Sequence, residues 1–153
     1  ILNNNQFLFE RAFMGNITLN IKGNQLPFGF ENIDLTTSAK LCTNENGIVI
    51  DYCNEIQAQT IITVEKDMVS FIRPDFCDGQ ILFKRDMPFT FSCKTDKGPV
   101  GINVFTTLVE SNIEDDKGKI ELEYLTELMG EQLVGKLHMS FSACNDKEDR
   151  YEN

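Results

Sequence analysis

The chain has 153 residues, 41% of them hydrophobic, which suffices for one domain with its own core. Its formal net charge is −10. A surface so acidic argues against nucleic acid and anionic membrane as partners, because the phosphate backbone calls for a basic face.

In chain order, the first periodic stretch is NITLNIKG, where Ile17, Leu19 and Ile21 alternate with polar residues. Period 2 with β-branched residues predicts a half-buried strand. ENIDLTTSAKLC places Ile33, Leu35, Thr37, Ala39 and Leu41 on one strand face. TNENG carries Asn46-Gly47, a hairpin signal, and Ile48, Ile50 and Tyr52 then share a face. QTIITVE, the turn EKD and MVSFIR follow, with Val69, Phe71 and Arg73 in phase and Pro74 ending the run. DFCDG turns and QILFKR continues; FTFSC sets Phe89, Phe91 and Cys93 together before the KTDKG turn. GINVFTTLVE is long, with Ile102, Val104, Thr106 and Leu108 expected on one side, and the IEDDKG turn comes next.

The stretch GKIELEYLTELMGEQLVGKLHMSF fits two periods. As a helix it aligns Leu122, Leu125, Leu128 and Met129; as strands it aligns Ile120, Leu122, Tyr124, Thr126 and Leu128, then Leu133, Gly135, Leu137, Met139 and Phe141. Gly130 and Gly135 would each cost a helix interior about 1 kcal/mol, and the alternation persists on both sides of Gly130. The hairpin is therefore expected, with the turn at Met129–Glu131. The sum is about ten strands and no helix. Such a sheet would expose long edges unless closed, so the expected fold is all-β, a closed or nearly closed antiparallel barrel of about 8–10 strands, with a two-sheet sandwich as second choice. Residues 1–14 are expected to be an N-terminal extension or remnant, residues 15–144 a single barrel domain, and residues 145–153 a polar tail. ILNNNQFLFERAF has neither the basic nor the apolar region of a signal peptide.

The strand order and several local motifs resemble the YwiB-like family of uncharacterised bacterial proteins. The resemblance runs from about Gly15 to Ala143 and rests on GNITLNIKG, GIVIDYCNE, VSFIR, KTDKG and IEDDKGKIELEY, where Gly118, Ile120, Leu122 and Tyr124 match G-x-I-x-I-x-Y. It implies a calycin-like, lipocalin-like β-barrel and a bacterial intracellular setting. It implies no activity. Two positions depart from the family pattern: RPDF follows Arg73 without an early Gly, and Cys93 stands where an aromatic is usual.

Five cysteines, Cys42, Cys53, Cys77, Cys93 and Cys144, form an odd set without CxxC spacing. That suits a reducing compartment, so a cytoplasmic location is expected. Each lies within or beside an apolar run and reads as a small buried hydrophobe. His138, the single histidine, falls on the polar face beside Lys136 and Ser140. No zinc set, calcium loop, GxSxG, phosphate-cradling loop or HExxH is legible, so no enzyme activity, metal or cofactor is expected.

Tyr52, Arg73 and Tyr124 are the candidate ligand-binding residues. Each is in phase with apolar neighbours, so each is expected to turn a polar tip into the barrel. An inward Arg needs an anion or several acceptors, either a ligand carboxylate or phosphate or an internal carboxylate. Two functions follow: a barrel holding a small apolar or anionic ligand, or a filled structural or protein-interaction barrel. In the second, apolar residues such as Leu125 or the Phe-rich N-terminus would mark a partner or homodimer surface.

Overall fold

A computed structural model describes residues 12–24, 32–53, 58–128 and 130–144, with the side chains of 12, 13 and 128 outside the description. Phe7, Phe9 and the NDKEDRYEN tail lie outside the described residues.

The described residues form ten strands: β1 (Ala12–Gly23), β2 (Ile33–Thr43), β3 (Gly47–Cys53), β4 (Gln59–Glu65), β5 (Met68–Ile72), β6 (Gln80–Lys84), β7 (Pro88–Thr95), β8 (Gly98–Ile113), β9 (Lys117–Leu128) and β10 (Glu131–Ala143). They form one antiparallel sheet in the order β6-β5-β4-β3-β2-β1-β10-β9-β8-β7. Every neighbour is a sequence neighbour except β1 and β10, the first and last strands, which pair from Ile17↔Ala143 to Gly23↔Leu137.

The ambiguous stretch is a hairpin. β9 and β10 pair from Glu131↔Leu128 to Ser142↔Lys117, and Gly130 adopts a φ of 83°, a conformation that glycine reaches without a Cβ penalty. β1 starts at Ala12 rather than after Met14, with a bulge between Phe13 and Gly15 where it pairs with β2. The strand therefore takes in the last residues of the expected extension.

The sheet curls until its edge strands meet. β6 and β7 share no ladder among the described residues, but single bridges join Cys77 to Cys93 and Arg85 to Thr106. Across this seam the Lys94 N–H donates to the Phe76 carbonyl at 2.7 Å, and the Asp86 N–H donates to the Thr106 carbonyl at 2.8 Å. The result is a nearly closed barrel, which leaves few unpaired edge groups.

The alternating apolar residues line its interior: Ile17, Leu19 and Ile21 from β1, Ile48 and Ile50 from β3, Phe71 and Phe83 from β5 and β6, Ile120 and Leu122 from β9, Leu137 and Met139 from β10. Leu108 departs from the expected alternation. A bulge between Thr106 and Leu108 shifts the phase by one residue, so Leu108 pairs with Glu123 and Val109 takes the inward place opposite Leu122. The cysteines divide as well. Cys77 and Cys93 are buried, Cys42 and Cys144 are half-buried and Cys53 is exposed. An apolar run carries its even and odd members to opposite faces, so adjacency to such a run does not imply burial.

Candidate functional site

The three sequence-predicted residues do not form one cluster. Tyr52 and Arg73 lie toward the same end of the barrel, near enough for the Arg73 charge to act on the Tyr52 phenol. Tyr52, near the end of β3, is buried and shares a side-chain hydrogen bond with Thr60, its register partner on β4. Burial pushes its phenol above the ordinary value; the Thr60 hydrogen bond and the nearby Arg73 charge oppose that shift. Arg73 lies one residue beyond β5. Its side chain is 15% exposed and its guanidinium reaches Asp75 at 3.4 Å. The same group stands 5.7 Å from the centre of the Phe76 ring, within cation–π range. The chain itself thus supplies an anion and an aromatic face to this cation.

Tyr124 lies in the middle of β9 and packs elsewhere. Its ring stands 4.8 Å from that of Phe83 and covers Gly135, its register partner on β10. Its hydroxyl is buried and has no hydrogen-bond partner among the described residues, and the same holds for Thr106 Oγ1. The two residues are register partners across β8 and β9, so both oxygens belong to one inward-facing pair. Desolvation pushes the Tyr124 phenol far above its ordinary value.

On the outer wall a different arrangement emerges. Val134, Leu125, Phe105 and Pro88 are register partners in succession across β10, β9, β8 and β7. Cross-strand partners project to the same side, so these four form one apolar row on the convex face. Val134 is 56% exposed, Phe105 39%, and Met87 beside Pro88 46%. Leu125 was legible as the out-of-phase apolar residue of its strand. Phe105 and Val134 carry the same signal, an apolar residue on the polar phase, but only the register places them side by side.

Met14, Ile72 and Leu133 are exposed apolar residues off this row, and two grooves on the outside are bordered mainly by polar side chains. A groove of about 380 Å³ is bordered by Lys22, Glu121, Glu123, Lys136 and His138. Within it His138 Nδ1 lies 3.3 Å from a Glu121 carboxylate oxygen, and Lys136 pairs with Glu123 at 3.7 Å. A second, of about 500 Å³, is bordered by Thr18, Asn20, Lys117, Lys119, Ser140 and Ser142. Among the described residues no three His, Cys, Asp or Glu side chains group to hold a metal ion. No helix among the described residues is long and apolar enough to cross a membrane.

No curated protein matches the chain. Among solved structures it is similar to the YwiB protein of Bacillus subtilis, with a TM-score of 0.70 at 16% identity over 89% of this chain and 94% of that one. At that identity the likeness establishes the barrel fold alone. The family model described as a domain of unknown function, DUF1934, matches residues 16–141, from the first strand of the barrel to the last. The chain therefore belongs to the DUF1934 family, in keeping with the resemblance carried by its strand motifs.

Proposed function

We propose that this protein is an association module with a filled core, and that it self-associates through the outer face of β7–β10. The observation that supports this reading is the register-aligned row Val134–Leu125–Phe105–Pro88, a contiguous apolar patch in which Val134, Phe105 and Pro88 are exposed. The row suits a second copy of the same chain. A two-fold axis along the strand direction, through the middle of the row, sets Val134 against Pro88 and Leu125 against Phe105 of the second copy. The flanking positions then face Glu123 to the Thr107–Leu108 bulge, Glu127 to Asn103 and Gln132 to Thr90, so no two like charges oppose one another. The test is the mass in solution, by light scattering or native mass spectrometry, of wild type, Val134→Glu and Phe105→Glu. A wild-type dimer and two monomeric variants are expected. A wild type that stays monomeric at high micromolar concentration overturns the reading.

A second reading rests on the paired Tyr124 and Thr106 oxygens. Buried hydroxyls are ordinarily hydrogen-bonded, so two adjacent ones without partners favour a small polar occupant inside the barrel. Barrels of this size hold small ligands in calycin-like proteins, a fold-level analogy. Tyr52 and Arg73 would then form the anion-facing end. A native mass spectrum of protein purified from its own host, showing a mass adduct that denaturation releases and Tyr124→Phe abolishes, would favour this reading over the first.

A further inference from the structure

The seam that closes the barrel sets two thiols opposite each other. Cys77 follows β5 and Cys93 lies in β7, and the two are partners in an isolated antiparallel bridge. The Lys94 N–H donates to the Phe76 carbonyl at 2.7 Å, a bond between the residues flanking the pair. That pattern marks a non-hydrogen-bonded position, where opposed Cα atoms stand about 4.5 Å apart and side chains come closest. Disulfides join Cα atoms separated by roughly 4.4–6.8 Å, so the backbone already holds the needed spacing. Both residues are buried, at 0% and 1% exposure. Both are thiols, with Cys77 Sγ directed at the Gly79 carbonyl at 3.9 Å and Cys93 Sγ at the Lys94 carbonyl at 3.7 Å. After burial itself, the charge of Cys93 is the next contributor raising the Cys77 thiol, which reflects their proximity.

We propose that Cys77 and Cys93 are a redox modification site that forms a reversible cross-strand disulfide fastening the barrel seam. The oxidant is a low-molecular-weight disulfide. One cysteine, as thiolate, attacks a sulfur of that disulfide and releases one small thiol. The second cysteine, after losing its proton, displaces the other small thiol from the mixed disulfide. Two protein thiols become one disulfide, one oxidant disulfide becomes two thiols, and two electrons pass between them. The bond joins the region of the sheet's two edge strands, which share no ladder among the described residues. The other cysteines have no such counterpart: Cys42 lies opposite Val49 on β3 and Cys53 opposite Gln59 on β4. Burial makes the reaction slow, because the seam must open for the oxidant and both thiols are raised above the ordinary value.

The experiment treats folded, full-length protein with oxidised glutathione and digests it with trypsin without reduction. Cleavage after Lys84 and Arg85 separates the two cysteines, so the bond appears as a linked peptide pair that reduction resolves. The expected result is a Cys77–Cys93 link together with a rise in Tm on the order of 5–10 °C that dithiothreitol reverses. Cys53→Ser should keep the link and the rise, and Cys93→Ala should lose both. Retention of both thiols, linkage of either to another cysteine, or a link without a rise in Tm would each overturn the proposal. Should Cys93→Ala not fold, the wild-type peptide map and its Tm decide the matter alone.

Discussion

The ring of Tyr124 occupies the space where Gly135 would carry a side chain. A Cβ at 135 would meet Tyr124 Cε2, and would stand 2.5 Å from Cζ and 2.8 Å from Cδ2. The two are register partners on β9 and β10, and both are buried. Gly135 has no positive φ, so it is there for space rather than for backbone freedom. The β9–β10 hairpin depends on a glycine here because its partner is an inward tyrosine that lies flat across the strand.

Gly135→Ala should therefore destabilise the protein by about 1–3 kcal/mol, the usual cost of overpacking a core. Denaturant unfolding monitored by circular dichroism would measure it. Because the clash is with one ring, Tyr124→Leu in the same background should recover much of the loss. A Gly135→Ala variant as stable as wild type would show that the ring has room to move.

Tyr124→Phe removes a buried hydroxyl that has no partner among the described residues and leaves the ring packing against Phe83 unchanged. The expected outcome is neutral or stabilising by up to about 1 kcal/mol, since an unsatisfied buried group carries its desolvation penalty. Thr106→Val should behave alike. A clear loss of stability in either variant would show that an occupant bonds these oxygens, and would favour the ligand reading over the filled core.

At the opposite end from the β9–β10 turn, the β2–β3 turn is held by one side chain. Asn44 Oδ1 accepts from the N–H groups of Asn46 at 3.0 Å and Gly47 at 2.7 Å. A Cβ at Gly47 would collide with the Val64 carbonyl oxygen and come within 3.0 Å of its carbon, and backbone cannot move aside as a ring can. Gly47→Ala should cost about 2–3 kcal/mol, at the upper end of overpacking, and Asn44→Ala about 1 kcal/mol. Thermal melts of the two variants should rank them in that order.

Stability should fall in alkali. Burial raises the Tyr52 and Tyr124 phenols above their ordinary value of 10.0. Between the unfolded and folded values the unfolded chain binds fewer protons, so unfolding becomes more favourable as pH rises. The contribution is whole below about pH 10 and is lost as pH climbs from there towards the folded values. Cys77 and Cys93, raised from 9.0, act with the same sign from slightly lower pH. Tm measured across this range should decline, and Tyr124→Phe should flatten the decline. A Tm that does not fall as pH climbs through and above 10 would contradict the burial of these groups.

Much of the fold was legible in the residues because the side-chain period of a strand is 2 and one face of each strand is buried. Ile17, Leu19 and Ile21, or Leu137, Met139 and Phe141, can satisfy that constraint in one way only, and turn residues such as Asn46-Gly47 and Gly130 mark where the chain reverses. Tyr52 and Tyr124 read as inward for the same reason. The period carries no information about distance between strands, so it could not tell that Arg73 pairs with Asp75 toward the Tyr52 end of the barrel while Tyr124 packs on Phe83. It also fails at a bulge: one extra residue after Thr106 exchanged the roles of Leu108 and Val109. The apolar row from Pro88 to Val134 and the opposition of Cys77 and Cys93 depend on register and on closure of the sheet, which bring together residues far apart in the chain. Local alternation determined which side of the sheet each residue occupies, and only the tertiary pairing decided which residues meet there.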